Sequence, residues 1–211
     1  LPDVTVEENI FGENAKIYID KSVSDTSKIN ISKNYHADGV NNAFVEDSGV
    51  KTIYEYYADE AMTNLVKRYV QIGTEYYATL ADAIAAAQTG DVVTVFAGTY
   101  AVPSMKAGIT IVGEGNVVFE GTLSGTLENL TLKNIHIKGA SAQRWAYAKG
   151  NLVFENVTFE ATSVYALHFD GITAGTNLTY KNCTIIGWAA MGGTPESATF
   201  EGCTFKGNGT Y

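Results

Sequence analysis

Leu130-Thr-Leu-Lys-Asn-Ile-His-Ile-Lys-Gly139 and Leu152-Val-Phe-Glu-Asn-Val-Thr-Phe-Glu-Ala161 are two copies of one pattern. Leu178-Thr-Tyr-Lys-Asn-Cys-Thr-Ile-Ile-Gly187 and Ala198-Thr-Phe-Glu-Gly-Cys-Thr-Phe-Lys-Gly207 are two more. Apolar residues fill positions 1, 3, 6 and 8, a charge holds position 4, and position 5 reads Asn, Asn, Asn, Gly. The copies start 22, 26 and 20 residues apart, and Ile109-Thr-Ile-Val112 with Val117-Val-Phe-Glu-Gly121 is a looser earlier copy.

Alternating apolar residues mark strands with one buried face. The phase breaks at position 5, where Asn or Gly tolerates a left-handed backbone, so the chain turns there. Short strand, sharp turn and short strand, repeated every 20 to 26 residues, is one coil of a parallel β-helix. A single coil cannot bury its apolar side, but stacking at about 4.8 Å per coil builds a continuous core. Asn134, Asn156 and Asn182 are then expected one above another, with their amides bonding along the stack. Leu130, Leu152, Leu178 and Ala198 form one expected inward ladder, and Leu132, Phe154, Tyr180 and Phe200 a second. An antiparallel sandwich also uses short strands, but its hairpins do not require Asn, charge and apolar residues at the same place in every copy.

Cys183 and Cys203 share position 6 and are expected as buried, unreactive thiols, since side chains one coil apart suit disulfide geometry poorly. Asn129-Leu-Thr131, Asn156-Val-Thr158, Asn177-Leu-Thr179 and Asn182-Cys-Thr184 match the glycosylation acceptor pattern. They follow from an Asn ladder leading into a strand and are read as structural.

Bulk composition narrows the function classes. The 211 residues carry a net charge of −9, with 18% charged residues and only two arginines, Arg68 and Arg144. Phosphate backbones repel such a chain, so no nucleic-acid partner is expected. No apolar run approaches the length of a membrane span, so membrane insertion is not expected. No signal peptide is evident. The chain opens on Leu1 without Met and closes in mid-pattern, so a processed or excised piece, continuing beyond its C-terminus, is expected.

Tyr77-Ala-Thr-Leu-Ala-Asp-Ala-Ile-Ala-Ala-Ala-Gln-Thr-Gly-Asp91 predicts a helix, with Thr79 as N-cap, Asp82 as its capping-box partner and Gly90 as the stop. The strand Val92-Val-Thr-Val-Phe96 and the turn Ala97-Gly-Thr-Tyr100 follow. Placed before the first coil, this helix is expected to close its open end. The run from Tyr77 through Gly90-Asp-Val-Val-Thr-Val95 to Tyr100 resembles the opening segment of the pectin-lyase-like β-helix superfamily. Val70-Gln-Ile-Gly-Thr-Glu-Tyr-Tyr-Ala-Thr-Leu80 resembles a lead-in found in large repeat-bearing bacterial surface proteins. The superfamily holds polysaccharide lyases, glycoside hydrolases, esterases, phage tailspikes and non-catalytic surface proteins, so the resemblance bears on fold more than on activity.

The expected fold is mainly β: a right-handed parallel β-helix with an N-terminal capping α-helix, preceded by a small β-rich module. Residues 1–70 are assigned to that module or to the end of a preceding repeat, and 71–211 to the capped β-helix, truncated at its C-terminus. The first part carries strand-like Ala15-Lys-Ile-Tyr-Ile19 and Lys28-Ile-Asn-Ile-Ser32, and an aromatic cluster of Ile53, Tyr54, Tyr56 and Tyr57. Asp59 to Tyr69 reads as either helix or strand.

The catalytic patterns that the resemblance implies are missing. A polygalacturonase-type site needs Asp-Asp, Gly-His-Gly and Arg-Ile-Lys; a lyase-type site needs clustered acids around Ca²⁺ with an Arg base. Here Arg144 is the only arginine past the helix, and Asp170 is the only aspartate after Asp91. His168 and Asp170 remain as weak catalytic candidates, and no metal or cofactor is expected. Trp145, Tyr147, Tyr165 and Trp188, with His168, fall in the longer stretches after the strands. They either pack the third side of each coil or form an exposed face for sugar rings. The expected function is a non-catalytic, secreted or cell-surface β-helix module of a bacterial protein, adhesin-like or structural, with a glycan or host-surface ligand. The alternatives are a polysaccharide lyase or glycoside hydrolase, and a phage tailspike or fibre segment. A monomer is expected for the first two and a trimer for the last.

Overall fold

The computed structural model describes residues 3–19, 29–39, 45–46 and 55–209 of the 211. The chain divides into two units, Leu1–Arg68 and Tyr69–Tyr211.

The second unit is a parallel β-solenoid with three strand-bearing faces. On the first face, Val92–Ala101, Thr110–Glu120, Thr131–Lys133, Asn151–Glu155, Asn177–Lys181 and Ser197–Glu201 pair in parallel, each with the next. On the second face, the ends of the first two strands continue into His136–Gly139, the start of Thr158–Ile172, the start of Thr184–Met191, and Thr204–Lys206. The third face stacks Leu123–Glu128, Gln143–Lys149 and the later parts of Thr158–Ile172 and Thr184–Met191.

Both expected ladders are present. Leu130, Leu152 and Leu178 are fully buried, as are Leu132, Phe154 and Tyr180. The ring of Phe154 stacks on Tyr180 at 4.9 Å and Tyr180 on Phe200 at 4.5 Å. Ala198 and Phe200, in the last coil, are exposed. Cys183 and Cys203 are free thiols, Cys183 buried and Cys203 half-buried because it too lies in the last coil. Burial pushes the Cys183 thiol up to about 11.

The corner between the first two faces is left-handed, with φ of 55°, 54° and 52° at Asn134, Asn156 and Asn182 and 63° at Gly202. The Asn156 side-chain amide donates to Asn134 Oδ1 at 3.1 Å. In the fourth copy Gly202 takes the corner, and Asn182 Oδ1 lies 2.4 Å from where its Cβ would stand. A second polar ladder runs at the opposite end of the first face. The Asn151 backbone N–H donates to Asn129 Oδ1 at 3.0 Å, Asn177 Nδ2 to Asn151 Oδ1 at 3.1 Å, and Ser197 Oγ to Asn177 Oδ1 at 2.7 Å. Charges at position 4 alternate in sign up the stack, giving Lys133–Glu155 at 2.7 Å and Lys181–Glu201 at 3.9 Å.

The helix spans Leu80–Ala86 and buries Leu80, Ala83 and Ile84. Thr79 caps it as expected, accepting from the Asp82 N–H at 3.1 Å while donating to Asp82 Oδ2 at 2.6 Å. The stop differs: the chain leaves the helix at Ala87, whose ψ is 146°, three residues before Gly90. The expected turn at Ala97–Tyr100 lies inside Val92–Ala101, where the pairing register shifts between Phe96 and Gly98. The edge of the first coil is paired by Val70–Ile72, which runs antiparallel to Val93, Thr94 and Val95 and forms a hairpin with Glu75–Tyr77.

The described part of the first unit is also built of parallel pairs. Val4–Val6 pairs with Ile29–Ile31, Ile10–Phe11 with Asn34–His36, and the latter with Glu55–Tyr57. Glu8 and Lys33 take the left-handed corner at φ 57° and 51°. The next position is Asn rather than an apolar residue: buried Asn34 accepts from the Asn9 backbone at 2.9 Å and from Asn9 Nδ2 at 3.1 Å. Within Asp59–Tyr69 the chain turns and then forms the strand Leu65–Lys67. Of the expected aromatic cluster, Tyr56 and Tyr57 lie in a strand, while Ile53 and Tyr54 lie outside the described residues.

Candidate functional site

The first two faces repeat the template closely, and the third does not. Leu123 pairs with Gln143 and Gly125 with Ala146, so Ser124 alone faces both Arg144 and Trp145. Ala146 pairs with Phe169 and Tyr147 with Gly171, leaving Asp170 extra. Tyr165 pairs with Trp188 and Leu167 with Ala189, leaving Ala166 extra. Three bulges therefore fall in two consecutive coils on one face. A bulge breaks strict alternation and re-aims the neighbouring side chains.

The strongest local departure is Trp145, at φ 53°. Every other non-glycine residue with positive φ among the described residues of this unit is an asparagine. A bulky side chain in that conformation costs on the order of 1–2 kcal/mol. The strained backbone turns the indole outward, with 59% of the residue exposed.

The other sequence-predicted aromatics lie on the same face, in strands rather than in loops. Tyr147 is 54% exposed and Trp188 42% exposed. The interior of this side is filled by Ala146, Ala148, Ala166, Leu167 and Phe169, so Trp145, Tyr147 and Trp188 are not its packing. Tyr165 is the hub: its ring stacks on His168 at 4.4 Å and meets Trp188 edge-on at 6.1 Å. The Arg144 guanidinium lies over Trp145 at 4.8 Å and over Tyr165 at 5.2 Å. Gly187 makes the corner that sets Trp188 beside Tyr165, since a Cβ there would lie 2.9 Å from that of Ala161. Tyr147 sits over Gly171, whose missing Cβ would otherwise stand 3.0 Å from its ring. A groove of about 370 Å³ opens beside Tyr147, lined also by Thr126, Lys149 and Thr173.

No family model, curated protein or solved structure matches this chain.

The two catalytic candidates share this face. His168 Nδ1 lies 3.4 Å from Asp170 Oδ2, without hydrogen-bond geometry, so this buried nitrogen has no hydrogen-bond partner among the described residues. Glu160, on the second face, is engaged by Lys138 at 2.8 Å and by His136 at 2.9 Å. The Lys138 hydrogen bond is the largest of the effects that hold its carboxyl below the usual range. Glu155 is held down likewise by its hydrogen bond from Lys133. Both carboxylates join neighbouring coils. Among the described residues no cluster of three His, Cys, Asp or Glu could hold a metal ion, and no helix is long and apolar enough to cross a membrane.

A larger cavity, of about 630 Å³, lies beside the helix and is lined by Leu80, Ala97, Gly98, Tyr100, Val102 and Pro103 among others. It brings together apolar and small residues with no charged side chain, so the bulged face is the better candidate for recognition. Sequence reading named its aromatics but not Arg144 as part of the group. The signal was present, since Arg144 directly precedes Trp145 and is the only arginine of this unit.

Proposed function

We propose that this chain is a non-catalytic, glycan-contacting β-solenoid module of a bacterial surface protein, adhesin-like and of the pectin-lyase-like type. The observation that carries the reading is Trp145: an exposed indole held in a strained bulge, on the same face as Tyr165 and Trp188 and joined to Tyr165 through the Arg144 guanidinium. A strained, solvent-facing aromatic adds nothing to the core, and outward aromatic planes suit the apolar faces of sugar rings. The inter-coil Lys–Glu pairs and Asn ladders support a scaffold role for the other two faces.

The test is a glycan array probed with the wild-type chain and with a Trp145→Ala, Trp188→Ala double variant. Binding that disappears in the folded double variant supports the reading; absence of binding by the folded wild type sinks it.

A second reading, hydrolysis or elimination on a polysaccharide, rests on His168 and Asp170 lying 3.4 Å apart on the same face. Cleavage of acidic polysaccharides that is lost in both His168→Ala and Asp170→Ala would favour it. A trimeric mass in solution would instead favour a phage fibre segment.

A further inference from the structure

We infer that the sugar taken by this face carries an anionic group, a carboxylate or a sulfate, and that Arg144 is the residue that selects it. The inference rests on the glycan-contacting reading and narrows its ligand class.

Lys133, Lys138, Lys149 and Lys181 each pair with a glutamate across neighbouring coils. Arg144 departs from that rule. Among the described residues no carboxylate or carbonyl engages its N–H groups, and its recorded neighbours are the rings of Trp145 and Tyr165. It remains uncompensated in a chain whose net charge is −9.

A guanidinium is planar, and all five of its N–H bonds point outward in that plane. The rings lie 4.8 Å and 5.2 Å from its Cζ, and with no carboxylate or carbonyl of the described residues engaging its N–H groups, its donors are left for a ligand. A planar donor set of this kind matches two oxygens of one carboxylate or sulfate. The aromatic contacts also hold the side chain in place, which lowers the ordering cost of binding. Trp145 and Tyr165 then serve twice, as sugar-stacking planes and as the clamp that orients Arg144. A neutral sugar would leave the guanidinium without an anionic partner, so the site discriminates by charge. Because the rest of the chain is acidic, polyanions gain little from long-range attraction, and recognition depends on this local contact.

The test uses the full chain and three arms: a uronic-acid oligosaccharide, its carboxyl-reduced neutral counterpart, and a sulfated oligosaccharide of similar length. Wild type, Arg144→Gln and Arg144→Lys are compared by calorimetry, with melting curves to establish folding. The wild type is expected to prefer an anionic arm to the neutral one. Arg144→Gln should lose about 10- to 100-fold in affinity for it, the range of a charge-assisted hydrogen-bonded contact. Arg144→Lys should fall between, since it keeps the charge but loses the planar fork. Preference for the uronate or the sulfated arm assigns the anion. Equal binding of the neutral arm, unaffected by Arg144→Gln, overturns the inference while leaving the glycan reading intact. No binding in any arm by the folded wild type removes both.

Discussion

Replacing Asn156 tests the stacked corner on which the solenoid depends. Its amide donates to Asn134 Oδ1 at 3.1 Å, and its backbone sits at φ 54°. The hydrogen bond is solvent-exposed, so its loss costs about 0.5–1 kcal/mol. Alanine tolerates the left-handed region less well than asparagine, adding about 1–1.5 kcal/mol. Asn156→Ala should therefore destabilise by about 1.5–2.5 kcal/mol. For a chain of this size that corresponds to a melting temperature lower by about 3–10 °C. Asn156→Gly loses the same hydrogen bond but adopts positive φ freely, offset in part by greater freedom when unfolded. It should lose only about 0.5–1.5 kcal/mol. Thermal denaturation followed by far-ultraviolet circular dichroism reads both. Equal losses in the two variants would refute the left-handed strain argument, and unchanged melting in both would refute the stack itself.

Three further outcomes follow from the coil geometry. Gly113→Ala brings a Cβ within 2.2 Å of the Asn134 carbonyl oxygen, a backbone atom, whereas Gly207→Ala meets nothing within 4 Å; the first should lose about 1–3 kcal/mol, and similar melting curves for the two would contradict the stacking. Thiol labelling at neutral pH should modify half-buried Cys203 quickly and Cys183, pushed up to about 11 by burial, only on unfolding; two equally fast thiols would place Cys183 outside the core. Because the folded state holds the Glu160 carboxyl below its ordinary 4.5, its contribution is present above that pH and lost as pH falls through the lowered value; Glu160→Gln should lower the melting temperature at pH 7 and shrink the acid-induced loss, and parallel pH curves for variant and wild type would count against the Lys138 pair.

What could be read from sequence tracks how tightly a position is constrained by its neighbour one coil away. Positions 1, 3, 5, 6 and 8 of the template point inward or turn the corner, so each must repeat, and the repeat is visible. The alternation Lys133, Glu155, Lys181, Glu201 belongs to the same class and was equally legible as sign complementarity between coils. So was the ladder Asn129, Asn151, Asn177, Ser197, each standing just before an inward Leu or Ala. The bulges were not legible, because an extra residue in one strand is defined only by the register of its partners. Trp145 shows this most plainly. Tryptophan carries no preference for a left-handed backbone, and only the count of Ser124 against Arg144 and Trp145 reveals that one is needed. In the first unit, buried Asn34, bonded to exposed Asn9, stands where the template has an apolar residue, which concealed the parallel pairing there.

The same constraint argues for where recognition resides. Successive template copies start 22, 26 and 20 residues apart, yet the template itself keeps a fixed length. All of the variation therefore falls in the residues that follow it, which build the third face and its return. On the first two faces a change at one coil must be matched by the coils above and below, through amide ladders, ion pairs and ring stacks. On the third face the longest interval supplies the extra residues Ala166 and Asp170, and the coil before it supplies the Trp145 bulge. Insertion is accommodated there without breaking the core, since Ala146, Leu167 and Phe169 still face inward and remain buried. A solenoid that fixes two faces and releases the third confines chemical novelty to one surface. On this chain that surface holds Arg144, four outward aromatics and the His168–Asp170 pair.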